Sequence, residues 1–442
     1  MTDLAVCRSA IAGRNFVVAV AASMLIMLGG GAASAAAGAP SGRAEQASPD
    51  LDAGAWLLVD ARDGDRLVAQ SAASRRPIAS TTKLMTAYLA LQELKLDEKL
   101  TVPPYAAAPA ESVAGLVEGE RLTVRDLITA MMLPSANDAA ATIAVGVARS
   151  EQAFVERMNE AAADLGLDGT SYANPIGLDE AGNHSTAADL AELALRLRED
   201  RRFRQIVSQP EATLESGSQP RQVVTRNTLL LADATVDGIK TGHTLGAGYV
   251  LVASAKREGV PLLSVVLGAP SESGRDAASA ELLDYGYSLY EQRSPFERRA
   301  ELATAEVRYE DEPLALVATR ELEVSARDDQ ALDAEIDAPA GVEGPIARGA
   351  RLGTATVTLD GDPVGKVPLV AARAIAEPGL IEKVGGPIVV AAIALVAIVI
   401  LLGAVLLLRR RTSLEREAER SLEERMRSQQ ERTRRREDGE AE

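Results

Sequence analysis

Ser80 and Lys83 are the residues of this chain best placed to do chemistry. They lie three apart in Ser80-Thr81-Thr82-Lys83, the only Ser-x-x-Lys in the sequence, and lysine is otherwise scarce, with seven residues in 442. A serine hydroxyl is a weak nucleophile at neutral pH unless a base takes its proton. On a helix this spacing puts both side chains on one face, with Cβ atoms roughly 5–6 Å apart. Ser80 would sit in the first turn, where unpaired N–H groups and the helix dipole favour developing negative charge. Lys83 can serve as the base only when neutral, and burial or a neighbouring cation lowers a lysine pKa. Lys240 is the expected second cation. Taken alone, a helix-capping Ser80 beside a solvated Lys83 is the plainer reading.

Two further motifs reverse it. Ser135-Ala136-Asn137 follows the apolar run Leu127–Leu133 and precedes a second helical pattern. A hydroxyl and an amide two residues apart in a turn can face one cleft, the first to relay a proton and the second to hold a substrate carbonyl. Both residues also suit a helix N-cap. Lys240-Thr241-Gly242 lies beside an expected edge strand, where the small Gly242 would let a peptide-like substrate approach the backbone. On its own it is an ordinary strand end. The three motifs in this order signal an active-site serine enzyme. His184 and His243 are the only histidines and Cys7 the only cysteine, so neither a zinc site nor any other cofactor is expected. A Ser-His-Asp triad is compatible with that count, but there is no Gly-x-Ser-x-Gly elbow.

The positioning elements are legible as alternating patterns between 50 and 295. Ala55–Asp60, the turn Asp63-Gly64-Asp65 and Arg66–Ala69 read as a hairpin. Helical runs follow at Thr82–Leu94, Val124–Leu133, Asn137–Val147, Glu151–Leu165 and Ala187–Leu197. Strand signals at Tyr249–Ala255 and Leu262–Leu267 flank the turn Arg257-Glu258-Gly259, and a last helix is expected over Arg275–Leu289. From 296 to 378 only short β-like pieces occur, among them Leu322–Val324, Ala355–Leu359 and Lys366–Val370, which predicts a small all-β domain. The expected fold is therefore α+β, followed by a β-rich domain.

Both ends fall outside that fold. Arg8 and Arg14, the apolar stretch Phe16–Leu28 and Ala33-Ser34-Ala35 have the layout of a secretory signal peptide over 1–35, with a linker over 36–49. An uncleaved anchor is the alternative. Cleavage would remove Cys7 and leave a mature chain with no thiol. Pro387–Leu408 carries no charge and is long enough to cross the roughly 30 Å hydrocarbon core. Arg409, Arg410 and Arg411 follow at once, which places the tail 409–442 in the cytoplasm and the body outside the cell membrane. The tail is either a solvated helix laced with i,i+4 pairs or a disordered segment. Net charge is −17 and falls mainly on the body, which argues against nucleic acid as a partner.

With these motifs assembled, the sequence resembles the serine-type D-alanyl-D-alanine carboxypeptidases, the low-molecular-mass penicillin-binding proteins. The likeness extends through Pro77–Thr86, Leu133–Asp138, Gly177-Leu178-Asp179 with His184-Ser185, Arg226–Leu230, Val236–Thr244 and Ala247-Gly248-Tyr249. It continues into the β-rich part, through Gly353-Thr354-Ala355 and Pro368-Leu369-Val370. It implies a penicillin-recognising serine hydrolase domain, an antiparallel sheet flanked by helices plus a helical lobe. It also implies roles. Ser80 forms the acyl-enzyme and Lys83 activates it, while Ser135 and Asn137 relay protons and orient the peptide. Lys240, Thr241 and Gly242 bind the substrate end, the N–H groups of Ser80 and His243 hold the oxyanion, and Arg275 pairs with the terminal carboxylate. A surface salt bridge is the alternative for Arg275, and Arg226 is taken as structural. The implied partners are peptidoglycan stem peptides, with β-lactam antibiotics as inhibitors. Leu245-Gly246 departs from the polar residues of many relatives. A β-lactamase, an endopeptidase of the same fold and a catalytically silent receptor are the competing readings; the first needs a glutamate on a loop after Ser-x-Asn, and none is assignable.

Overall fold

A computed structural model describes residues 48–109, 111–383 and 386–438. The expected signal peptide, Cys7 and nearly all of the linker lie outside the described residues. Strand β1 (Ala55–Asp60) and strand β2 (Arg66–Gln70) form the expected hairpin. Every residue of β1 is buried, which is why its sequence reads as a continuous apolar run and not an alternation. Helix α1 (Lys83–Glu93) follows a 3₁₀ turn, Ala79–Thr82. The small hairpin β3 (Lys99–Thr101) and β4 (Arg121–Thr123) brackets a long loop. A helical lobe comes next: α2 (Val124–Met132), α3 (Asn137–Ala148), α4 (Glu151–Asp164), α5 (Ala187–Glu199) and α6 (Arg201–Val207). Thr123, Ser150, Thr186 and Asp200 accept N–H groups at the starts of α2, α4, α5 and α6, each satisfying a donor the helix leaves unpaired.

A second hairpin, β5 (Glu211–Leu214) and β6 (Arg221–Val224), and the short α7 (Thr228–Ala232) carry no periodicity that predicts them. Strands β7 (Val236–Thr244), β8 (Gly248–Arg257) and β9 (Val260–Ala269) then complete an antiparallel sheet in the order β2-β1-β9-β8-β7. Helix α8 (Glu272–Ser288) starts three residues earlier than expected because Ser271 caps it through Gly274 N–H. One sheet face, with Trp56, Leu58, Leu251 and Val266, packs on Ala278, Leu282 and Leu283 of α8. The other, with Leu57, Val59, Val252 and Val265, packs on the helical lobe through Leu84, Leu193 and Leu197. The sheet thus divides two packed layers, and β7 is one of its two edges.

The remainder is β-rich, as the sequence predicts. Strand β10 (Glu291–Arg293) pairs with β13 (Val324–Ala326), while β11 (Glu301–Val307), β12 (Leu314–Ala318), β14 (Leu332–Asp337), β15 (Gly341–Val342), β16 (Arg351–Leu359) and β17 (Asp362–Ala371) share one sheet around Leu314, Leu316, Val357, Val367 and Leu369. Beyond the short α9 (Leu380–Lys383), helix α10 runs unbroken from Gly386 to Asp438. Its apolar part has a mean hydropathy of 3.3 over its best window and is long enough to cross a membrane. The described part of the charged tail is therefore helical.

Candidate active site

Ser80 lies in the 3₁₀ turn, one step before α1 and not inside it, and Lys83 is the first residue of that helix. Three neighbours surround the wholly buried Lys83: Nζ is 3.0 Å from Ser80 Oγ, 2.7 Å from Asn137 Oδ1 and 2.5 Å from the Ile176 carbonyl oxygen. An ammonium spends all three N–H bonds on these partners. A neutral amine keeps two of them and turns its lone pair to Ser80, which is the arrangement a base requires. Burial pushes the Lys83 pKa down to about 7, Arg226 pushes it the same way, and the carboxylates of Glu111 and Asp138 oppose them. Arg226, which the sequence reading assigns to structure, is a cation that lowers the Lys83 pKa, and Lys240, the expected second cation, is coupled to Lys83 by a repulsion that lowers its own pKa.

Asn137 opens α3, so its side chain is free of capping duty; the N-cap is Ala136, without a side-chain bond. Its amide lies between two partners, with Oδ1 toward Lys83 and Nδ2 donating to Glu111 Oε2 at 2.8 Å. Ser135 sits at φ +67, and its buried hydroxyl makes no hydrogen bond among the described residues. The turn therefore presents an uncommitted hydroxyl to the cleft. Above it passes the loop between β3 and β4: Ser112 accepts the Asn137 N–H at 2.7 Å, and the Asp138 carboxylate accepts from Ala114 N at 3.0 Å and Leu116 N at 3.0 Å.

The opposite wall is the edge strand β7. A Cβ on Gly242 would lie 2.8 Å from Ser80 N and 3.0 Å from the Ala79 Cβ, so only glycine lets this strand pass so close to the serine turn. Lys240 is buried, with Nζ donating to the Thr241 carbonyl at 2.8 Å. Burial first, and then repulsion from Lys83, Arg226 and Arg275, holds its pKa well below the ordinary lysine value. His243 stacks on Tyr249 with ring centroids 4.0 Å apart. Ser80, Ser135, Thr241, Gly242, His243 and Arg275 line one cavity of about 220 Å³, together with Ser112, Arg226, Tyr249 and Glu272. Lys83, Asn137 and Lys240 are buried and are not among the residues that line it.

Arg275 is buried in the first turn of α8, held by Asp276 (Nη2 to Oδ1 2.7 Å), Thr228 Oγ1 (3.0 Å) and Glu272 (3.3 Å). It is an ion pair as well as a cavity residue, but not a surface one. Leu245 is 99% exposed at the β7–β8 turn, where Asp179 accepts from Thr244 Oγ1 at 2.6 Å and Gly246 N at 2.8 Å. Sequence reasoning missed Glu111, Ser112 and Arg226. The first two occupy a loop with no periodicity. Arg226 stands in a stretch whose resemblance was visible, but its charge has meaning only against the buried lysines.

Fold and site together define a serine hydrolase with a buried lysine beside the serine. The family model for D-alanyl-D-alanine carboxypeptidase matches residues 42–271, and that for the penicillin-binding protein 5 C-terminal domain matches 290–377. D-alanyl-D-alanine carboxypeptidase DacF of Bacillus subtilis is 30% identical over 335 residues, covering 74% of this chain and 86% of that one. DacC of Escherichia coli is 34% identical over 360 residues, covering 77% and 89%. Penicillin-binding protein 5 of Haemophilus influenzae superposes with a TM-score of 0.53 at 29% identity, covering 75% of this chain and 99% of that one. The chain belongs to the serine D-alanyl-D-alanine carboxypeptidase family.

Proposed function

We propose that the protein removes the terminal D-alanine from peptidoglycan pentapeptides through an acyl-enzyme on Ser80, and that penicillin acylates the same serine. Ser80 Oγ attacks the carbonyl carbon of the penultimate D-alanine as its proton passes to Lys83 Nζ. The N–H groups of Ser80 and His243 receive the oxyanion. Collapse breaks the C–N bond, and the departing amine takes up the proton by way of the Ser135 hydroxyl. Water then cleaves the ester, releasing the shortened peptide acid and restoring Ser80. Asn137 holds the peptide, while Lys240, Thr241 and Arg275 receive the free carboxylate.

The observation that carries this reading is the Lys83 environment, with Ser80, Asn137 and Ile176 as its three partners and a pKa of about 7. The arginine run after Leu408 supports a body held outside the cell membrane with the tail in the cytoplasm. The test is covalent labelling of the full-length protein by a tagged penicillin, with peptide mapping of the labelled residue. The label belongs on Ser80, and Ser80→Ala abolishes it without changing the circular dichroism spectrum. Persistent labelling of that variant refutes the assignment.

A further inference from the structure

Asn137 is clamped between a group that donates and a group that accepts. Its Oδ1 lies 2.7 Å from Lys83 Nζ and its Nδ2 lies 2.8 Å from Glu111 Oε2. An ionised carboxylate can only accept, and the Lys83 amine directs N–H bonds at Oδ1. Turning the amide over would set Oδ1 against a carboxylate and Nδ2 against an N–H donor, so the pair admits one orientation. In that orientation Nδ2 is the donor, given to Glu111 with the Tyr105 hydroxyl beside it, and Oδ1 is the acceptor. Glu111 is itself held in place. Tyr105 O–H donates to the same Oε2, and Ala108 N donates to Oε1 at 3.0 Å. Both oxygens are engaged, which suits an anchor and not a base acting on water.

We propose that Glu111 is a positioning residue of this active site: it fixes the Asn137 amide with its nitrogen on the carboxylate and its oxygen toward Lys83. The inference rests on the reading of Lys83 as the base. It gives the β3–β4 loop a defined part, because the backbone of the same loop is already stapled to α3 by the Asn137 N–H to Ser112 bond and by Asp138.

Glu111 has a second, through-space consequence. Three charged groups act on Lys83: Glu111 and Asp138 raise its pKa and Arg226 lowers it, while Lys83 in turn helps to hold the Lys240 pKa low. Burial raises the carboxyl pKa of Glu111, but bonds from Tyr105 and Asn137 more than offset this and keep it below the ordinary glutamate value, so it stays ionised through the neutral range. Glu111→Gln keeps the shape, removes the charge and replaces an obligate acceptor with an amide that can also donate.

The experiment measures penicillin acylation and deacylation across pH 5–9 in the full-length protein, in Glu111→Gln, in Asn137→Ala and in the double variant. The expected plateau of acylation in Glu111→Gln is about ten- to a hundredfold below wild type, as loss of a charge-assisted hydrogen bond implies. Its rising limb moves to lower pH, because the charge that raised the Lys83 pKa is gone. In the Asn137→Ala background Glu111→Gln lowers the plateau no further, since Glu111 acts through that amide, while the limb still moves. Glu111→Asp, which keeps the charge, leaves the limb near the wild-type pH. An unchanged plateau in Glu111→Gln overturns the proposal, as does full additivity with Asn137→Ala. Slowed deacylation with intact acylation also overturns it, because that pattern marks a base acting on water. Should Glu111→Gln fail to fold, Tyr105→Phe decides: it loosens the carboxylate without neutralising it, so the plateau falls severalfold with the limb in place, and an unchanged plateau overturns the proposal. Failure of the Lys83 reading looks different, because Lys83→Arg would then acylate normally whatever Glu111 does.

Discussion

Gly177 is packed against the carbonyl of Ala79: a Cβ there would stand 2.1 Å from the Ala79 oxygen and 2.9 Å from Ser80 N. Its backbone is in the left-handed region at φ +90, which a side chain tolerates poorly. Asn174 Oδ1 accepts the Gly177 N–H at 2.7 Å, and Pro175 and Ile176 direct their carbonyls to Thr86 and Lys83. One loop therefore packs against the Ser80 turn and supplies one of the bonds to Lys83.

Gly177→Ala is expected to push the Ala79–Ser80 turn away from β7 and to cut penicillin acylation on the order of a hundredfold, the cost of an ångström-scale misplacement. Stopped-flow acylation kinetics on the folded variant measure it. A rate within threefold of wild type would show that the turn yields without disturbing Ser80.

On the proposed reading, the pH dependence of acylation in wild type is expected to follow Lys83. Its pKa of about 7 lies below the ordinary lysine value because the side chain is buried. Below pH 7 the ammonium has no lone pair for the serine proton, so acylation falls about tenfold per unit as pH drops. Above pH 7 it levels off. Lys83→Arg removes the titrating base and abolishes acylation at every pH, since guanidinium stays protonated throughout. Rate constants measured from pH 5 to 9 check both statements.

Much of this site is legible because the serine and the lysines stand in short motifs. Ser80-x-x-Lys83 carries its own geometry, and Lys240-Thr241-Gly242 announces an edge strand with room beside it. Asn137 is legible as a side chain facing the cleft, but not as one held between Lys83 and Glu111. That contact closes a gap of 26 residues in sequence, through a loop without apolar periodicity. The same reasoning accounts for Arg226, whose effect on Lys83 is electrostatic and appears only once both are buried. The hairpin of β5 and β6 was invisible for a different reason. Each strand has four residues, too short for an alternation to register.

A buried ion network joins the hydrolase sheet to the β-rich part. Asp60, wholly buried at the end of β1, accepts from Arg62 at 2.6 Å, Tyr290 O–H at 2.7 Å and Arg327 at 3.2 Å. Burial raises its pKa, but bonds from Arg62 and Tyr290 outweigh that and hold it below the ordinary aspartate value. The stabilisation is therefore present above the unfolded pKa and lost as pH falls through the lower folded one. Asp60→Ala removes the carboxylate that Arg62 and Tyr290 share, while Arg327 keeps Asp65 and Asp329, and is expected to cost about 1–3 kcal/mol. Urea unfolding at pH 7 measures the loss, and the gap between variant and wild type should narrow on acidification to pH 3.

The proposed carboxylate pocket would separate trimming of a chain end from cleavage within a cross-link. On the proposed reading Arg275, Lys240 and Thr241 receive a free terminal carboxylate, and Arg275 is held by Thr228, Glu272 and Asp276. A cross-linked peptide presents an uncharged amide at the same place. A charge-assisted hydrogen bond contributes roughly 1.5–3 kcal/mol, so a pentapeptide ending in D-Ala-D-Ala should exceed its C-terminal amide by about ten- to a hundredfold in kcat/KM. Arg275→Ala should shrink that preference while sparing penicillin acylation more, because Lys240 and Thr241 still hold the drug's carboxylate. The measurement is release of D-alanine from the free acid, and of its amide from the blocked peptide, by wild type and variant. Equal rates on both substrates in wild type would remove the pocket from the mechanism and favour an endopeptidase.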